Sequence, residues 1–218
     1  MSWNRAAAAV SIAAVSALFT YAPAAADFPV PAFDQSTLDL WTAPAGPAES
    51  ATIVLAYSFG NRIPAGVDPA REVGAPGPVN EELAAAVVAA RGDRDIPVYA
   101  QTEIAEVLVS RYHLTDVVSI DPVRATDGTL AYLSTEGVAA KVAELRGPSM
   151  KSDAVAVVAF ADHQWRATHT TIKQGFHAFA PAGVTMPSTY DPESGQAWTR
   201  SASVYRPNDL VSRLALLR

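Results

Sequence analysis

The side chains best suited to chemistry in this 218-residue chain fall in a few short stretches. The densest is Val157–Gly183, where an apolar run ends at Asp162-His163-Gln164 and Arg166 comes one helical turn later. An imidazole titrates near neutral pH and can give or take a proton. A neighbouring acid would raise its pKa, but Asp162 and His163 are adjacent, and adjacent side chains on an extended segment point apart. A hydrogen-bonded cap for the next helix is the plainer role for His163. Arg166 falls in the first turn of that helix, where a cation opposes the helix dipole. Its placement points to an anionic partner: a ligand carboxylate or phosphate, or Glu103 or Glu136. An internal ion pair accounts for it equally well. His169 and Lys173 read as a solvated helix face, and Trp165 as a surface or lid contact.

These residues need elements to hold them. Ala51–Tyr57, "ATIVLAY", is a continuous apolar run of the kind a buried parallel strand shows. A long Gly/Pro-rich loop comes next, carrying Ser58, Asn61 and Arg62. Asn61 suits either a ligand polar group or a turn. Asn80 reads as the cap of the helix "EELAAAVVAAR", which stops at Gly92. Ile96–Ala100 is a second strand, Thr102 the cap of "EIAEVLVSRY", and Asp116–Ile120 a third strand. A helix around "LAYLSTEGVAAKVAELR", a fourth strand over Ala154–Phe160, the helix "QWRATHTTIKQG" and the strand "FHAFA" come after it. Pro207-Asn208-Asp209 opens a last amphipathic helix. Such alternation predicts an α/β fold, a Rossmann-like three-layer sandwich with a mostly parallel sheet and helices on both faces. Right-handed crossovers place the loops after the strands on one edge, where open α/β sheets bind ligands. Ser58–Arg62, Gln101–Glu103 and Asp162-His163 should converge there.

Composition narrows the function classes. The chain is 50% hydrophobic and 17% charged, with a net charge of −6, so it has a core to bury and no basic stripe for nucleic acid. It has no cysteine, which excludes a thiol nucleophile, thiolate metal ligands, disulfides and lipid attachment. With only 4 His and no H-E-x-x-H, no metal site is expected. There is also no G-x-G-x-x-G after the first strand, no P-loop and no G-x-S-x-G elbow. Residues 1–26 read as a cleavable signal peptide: Arg5, an uncharged apolar run over Ala6–Phe19, then Ala24-Ala25-Ala26. Residues 27–50 form a Pro/Ala-rich lead-in, and residues 51–218 the folded domain. The expected product is exported to the extracellular or envelope space, with no membrane span after cleavage.

The order of these blocks resembles the YdcF/SanA/ElyC-like family (domain of unknown function 218) across roughly Ala51–Leu217. The family's S-x-Y-H-M-x-R-A block is similar to "FADHQWRA", which pairs its His, Arg and Ala with His163, Arg166 and Ala167; Gly175 and Pro181 fit the family's later Gly and Pro. Its T-x-E-N block resembles Ser134-Thr135-Glu136-Gly137, without the Asn, and its acid after the second strand matches Glu103. The Gly-rich turn after the first strand is reduced to Gly60 in "AYSFGN", and S-G-G after the second strand is "YAQ". The resemblance implies a Rossmann-like fold, a role in cell-envelope biogenesis or maintenance, and S-adenosylmethionine as a suggested ligand, with no agreed reaction. Together, the residues and the resemblance predict a site for a small anionic ligand, such as an envelope precursor. His163 and Glu103 would be catalytic; Arg166, Ser58, Asn61, Asp162, Thr135 and Glu136 would contact the ligand. The other reading is a non-catalytic binding or envelope-stress protein whose ligand site has decayed.

Overall fold

The computed structural model describes residues 40–217. The expected signal peptide and the first part of the lead-in segment lie outside the described residues. The elements run β1 (Ala45–Pro47), β2 (Ile53–Ala56), α1 (Gly77–Arg91), β3 (Val98–Gln101), α2 (Thr102–Ser110), β4 (Val117–Ile120), β5 (Val123–Arg124), β6 (Leu130–Ala131), α3 (Thr135–Arg146), β7 (Ala154–Val158), α4 (Gln164–Lys173), β8 (His177–Ala182) and α5 (Ala202–Leu216). Six strands form a wholly parallel sheet in the order β1-β8-β7-β2-β3-β4. β5 and β6 make a separate antiparallel hairpin.

Central strands buried on both faces need apolar side chains at every position, and β2 and β7 supply them. Along β2, Val54 and Ala56 face Leu83 and Val87 of α1 and Ile104 and Leu108 of α2. Ile53 and Leu55 face the opposite way, toward Val138 and Val142 of α3 and Ala167 of α4. Val155 and Val157 of β7 share that second core, while Ala156 and Val158 join the first. The result is the three-layer α/β sandwich, with each fully buried Ile, Leu or Val contributing about 1.5–3 kcal/mol. The chain leaves β2 for β3 and β4 on one side, then returns to β7 and β8 on the other. The loops after β2 and β7 therefore diverge, opening a crevice at the carboxyl edge.

Four boundaries differ from the sequence reading, each for a local reason. The sheet begins within the lead-in segment: Ala45–Pro47 pairs with Ala180–Ala182 as the edge strand. Gly46 fits closely there, since a Cβ would stand 3.0 Å from the Phe179 ring, and Pro47 is tolerated on an edge. α1 starts at Gly77, not Asn80. Asn80 is instead fully buried, donating to Gly60 O and Pro76 O (both 2.7 Å) and accepting from Phe59 N–H at 2.9 Å. It holds the loop after β2 rather than capping its own helix. Leu130 and Ala131 pair in the hairpin, so α3 starts later, where Ser134 Oγ accepts from Gly137 N–H at 3.1 Å. α5 starts at Ala202 with Pro207 inside it. Among the described residues no helix is long and apolar enough to cross a membrane.

Candidate functional site

A cavity of about 360 Å³ opens at the carboxyl edge between β2 and β7. Its floor is the segment after β2, Tyr57 to Gly60, with Gln101 from the end of β3. One wall is the run into α3, Tyr132 to Thr135; the other is His163 and Arg166 at the start of α4. Gln196, Trp198 and Thr199 form the roof, and Tyr205 of α5 closes the back.

The roof is tied to the floor. Arg62 donates to both carboxylate oxygens of Asp191 (2.6 and 2.8 Å) and pairs with Glu193, while Gly195 N–H donates to Asn61 O at 2.7 Å. Gly60 has a φ of 72° and stands where a Cβ would collide with Ser194 and Thr199. The close approach of the roof and the positive φ together explain why residue 60 is glycine.

Arg166 is held through all three guanidinium nitrogens. Its Nε–H donates to Asp209 Oδ1 at 2.6 Å, Nη1 to Thr135 Oγ1 at 2.6 Å and Nη2 to Tyr205 OH at 3.1 Å. Three of its five N–H groups are thus used and two remain on a guanidinium that lines the cavity. Asp209 also takes a bond from Arg213 Nε–H at 2.6 Å and from Tyr205 OH at 3.1 Å. Burial alone would raise the Asp209 carboxyl, but contact with His163 and the Arg166 guanidinium holds it well below the ordinary range. Two arginines share one carboxylate, leaving an excess positive charge in a buried layer.

His163 is 5% exposed, edge-on to the rings of Tyr57 and Tyr205. Its Nδ1 lies 3.9 Å from Asp209 Oδ1, too far for a hydrogen bond, and has no other partner. Burial and the adjacent Arg166 charge lower its pKa to about 4. The imidazole is neutral at pH 7 and a weak base there. It also makes no capping bond to α4. Gln164 secures that junction instead, accepting from Ala159 N–H at 3.0 Å and donating to Val157 O at 2.8 Å, as a further rung of β7.

Glu103 lies outside the cavity lining. It is 1% exposed in the first turn of α2, with the side chains of Ser58, Asn61 and Tyr132 around it. Burial pushes its carboxyl up from the ordinary value, against the lowering effect of those neighbours. Asn61 is buried beside it and donates to Tyr132 OH at 3.1 Å. Buried Glu103 Oε1 and Asn61 Oδ1 have no hydrogen-bond partner among the described residues.

The structure therefore brings Ser58, Thr135, His163 and Arg166 to one cavity, with Glu103 and Asn61 packed behind its floor. Asp162 points elsewhere: its carboxylate accepts from Tyr190 OH at 2.6 Å and Arg206 Nε–H at 3.0 Å. Glu136 is exposed on the far side of α3, near Lys173, because successive helical positions face about 100° apart. Arg166 pairs with neither Glu103 nor Glu136; its acid is Asp209. Trp165 is 2% exposed and stacks on His169 at 3.8 Å, so it is a core residue and not a lid. The sequence reading missed the whole contribution of residues 196–213. A signal was present: Tyr205, Asp209 and Arg213 recur every four residues on one face of α5, which puts an acid on its buried side.

No family model, curated protein or solved structure matches this chain.

Proposed function

We propose that the cavity binds a small anionic ligand, with Arg166 as the anion-holding residue and Thr135, Ser58 and His163 as neutral contacts. One observation carries this reading. Among the described residues, Arg166 is immobilised by Asp209, Tyr205 and Thr135, keeps two unused N–H groups, and lines a cavity with no carboxylate in its wall. A pre-oriented guanidinium loses little freedom on binding and favours a carboxylate or phosphate. The family resemblance supports a role in envelope biogenesis or maintenance, with an envelope precursor as the ligand, and export through residues 1–26. It also suggests S-adenosylmethionine, but the lining offers no acid to meet that molecule's sulfonium and ammonium charges. The residues do not fit it.

Binding without catalysis is the reading the site favours between the two. His163 is a poor base at neutral pH, and Glu103 sits behind the floor. The test is calorimetric titration of the full chain with inorganic phosphate, alongside Arg166→Lys and Thr135→Val. Binding that weakens about tenfold or more in either variant supports the proposal; a lost guanidinium contact is worth about 1.5–3 kcal/mol. Phosphate binding unaffected by both variants would place the anion elsewhere.

A further inference from the structure

We infer that the ligand of this cavity is a monosaccharide phosphate ester, a single hydroxyl-rich ring carrying one phosphate. The inference rests on the anion reading above and adds the chemistry of the rest of the ligand. Apart from Arg166, the wall has no charged side chain among the described residues when His163 is neutral. Leu133 and Gly60 aside, the remaining lining is aromatic rings and uncharged hydrogen-bonding groups, the pairing that a sugar ring needs.

Trp198 is 53% exposed although it borders the cavity, so one large aromatic surface stands open at the roof. The C–H face of a pyranose covers such a surface and removes it from water. The Gln196 side-chain amide also has no partner among the described residues, and Gln101 uses only its Oε1, which accepts from Ser58 N–H at 3.0 Å. An amide offers both donor and acceptor, as a sugar hydroxyl does. Burial keeps the phenols of Tyr57 and Tyr205 protonated.

Size favours one ring over two. The cavity holds about 360 Å³, near the bottom of the roughly 300–1,000 Å³ range of small-molecule pockets. One ring and one phosphate fit that space with room for bridging water, whereas a base, a ribose and a phosphate would take up nearly all of it. The Arg166 end takes the phosphate and the Trp198 roof takes the ring.

The test is calorimetric titration of the full chain with inorganic phosphate, glucose 1-phosphate, glucose and adenosine monophosphate, repeated with Trp198→Ala. Trp198 is exposed, so its loss leaves the fold intact. The expected result is that glucose 1-phosphate binds at least tenfold more tightly than phosphate, glucose and adenosine monophosphate. Trp198→Ala should bring its affinity down toward that of phosphate. Equal affinity for phosphate and both esters would overturn the sugar assignment and leave the anion reading standing. Tighter binding of adenosine monophosphate would replace the sugar by a nucleotide. Glucose as tight as its phosphate, or no binding of any phosphate, would overturn the anion reading itself.

Discussion

Protonating His163 should destabilise the fold, and the size of the effect can be worked from its surroundings. The folded pKa is lowered from 6.5 to about 4 by burial and by the Arg166 charge. Between those two values the unfolded chain binds a proton that the folded chain excludes. The contribution of His163 to stability is therefore complete above about pH 6.5 and is lost as pH falls toward the folded pKa. At about pH 5 the loss comes to roughly 2 kcal/mol, from 1.36 kcal/mol per pKa unit over about one and a half units. For a domain of this size that corresponds to about 4–8 °C in melting temperature. Other groups titrate too, so the informative quantity is the difference between the wild type and His163→Gln. Urea unfolding of both, at about pH 7.5 and about pH 5, should show the wild type losing about 2 kcal/mol more than the variant on acidification. The opposite sign is physically available. Were the approach to Asp209 at 3.9 Å the dominant influence, the imidazolium would be favoured and acid would stabilise the wild type relative to the variant. A difference that is flat or of that sign would refute the reasoning.

Two further outcomes test the buried charges. Asp209→Ala removes the one carboxylate shared by Arg166 and Arg213, whose side chains are only 17% and 8% exposed. Leaving two buried cations unpaired should cost about 3–5 kcal/mol in urea unfolding, whereas Arg213→Met, which keeps the Arg166–Asp209 pair, should cost clearly less. Glu103 has a raised folded pKa, so its effect runs the other way from His163: the folded state holds the proton more tightly, and stability is lost as pH rises from the ordinary carboxyl range through the folded value. Glu103→Gln mimics the protonated form, so the variant should match the wild type in melting temperature at about pH 4 and exceed it at about pH 8.

The layers of this protein were legible because they depend on period alone. Ile53–Ala56 and Ala154–Val158 are apolar without interruption, as strands buried on both faces must be, and the helices alternate with them. The convergence of Ser58, Gln101 and His163 came from the same alternation, since parallel strands bring their carboxyl ends to one edge, whereas Thr135 was offered only by the family resemblance. The partners of those residues were not legible, because they come from chain distant in sequence. Asp209 meets Arg166 across 43 residues, and Asn80 grips Gly60 across 20. Local rules misread both: Asn80 looked like a cap and Pro207 like a helix start. Asp162 and Glu136 lie away from this cavity: Asp162 is held elsewhere by its partners Tyr190 and Arg206, and Glu136 stands exposed near Lys173.

The arrangement of charge also bears on the kind of site this is. A general acid–base centre keeps its titrating group near the operating pH and within reach of the ligand. Here the two candidates are shifted in opposite directions by the same cause. Burial drives His163 toward its neutral form and Glu103 toward its protonated, neutral form. Both changes remove charge from the site, and only the arginine–aspartate layer keeps it. Arg166 and Arg213 exceed Asp209 by one positive charge, and that excess lies beside a cavity with no acid in its wall. On the proposed reading, an anion would offset part of the cost of holding it buried, which would link ligand binding and fold stability through Arg166. A bound phosphate ester should therefore raise the melting temperature of the wild type. It should raise that of Arg166→Lys much less, since a lysine cannot keep the planar contact to Asp209 while turning donors into the cavity.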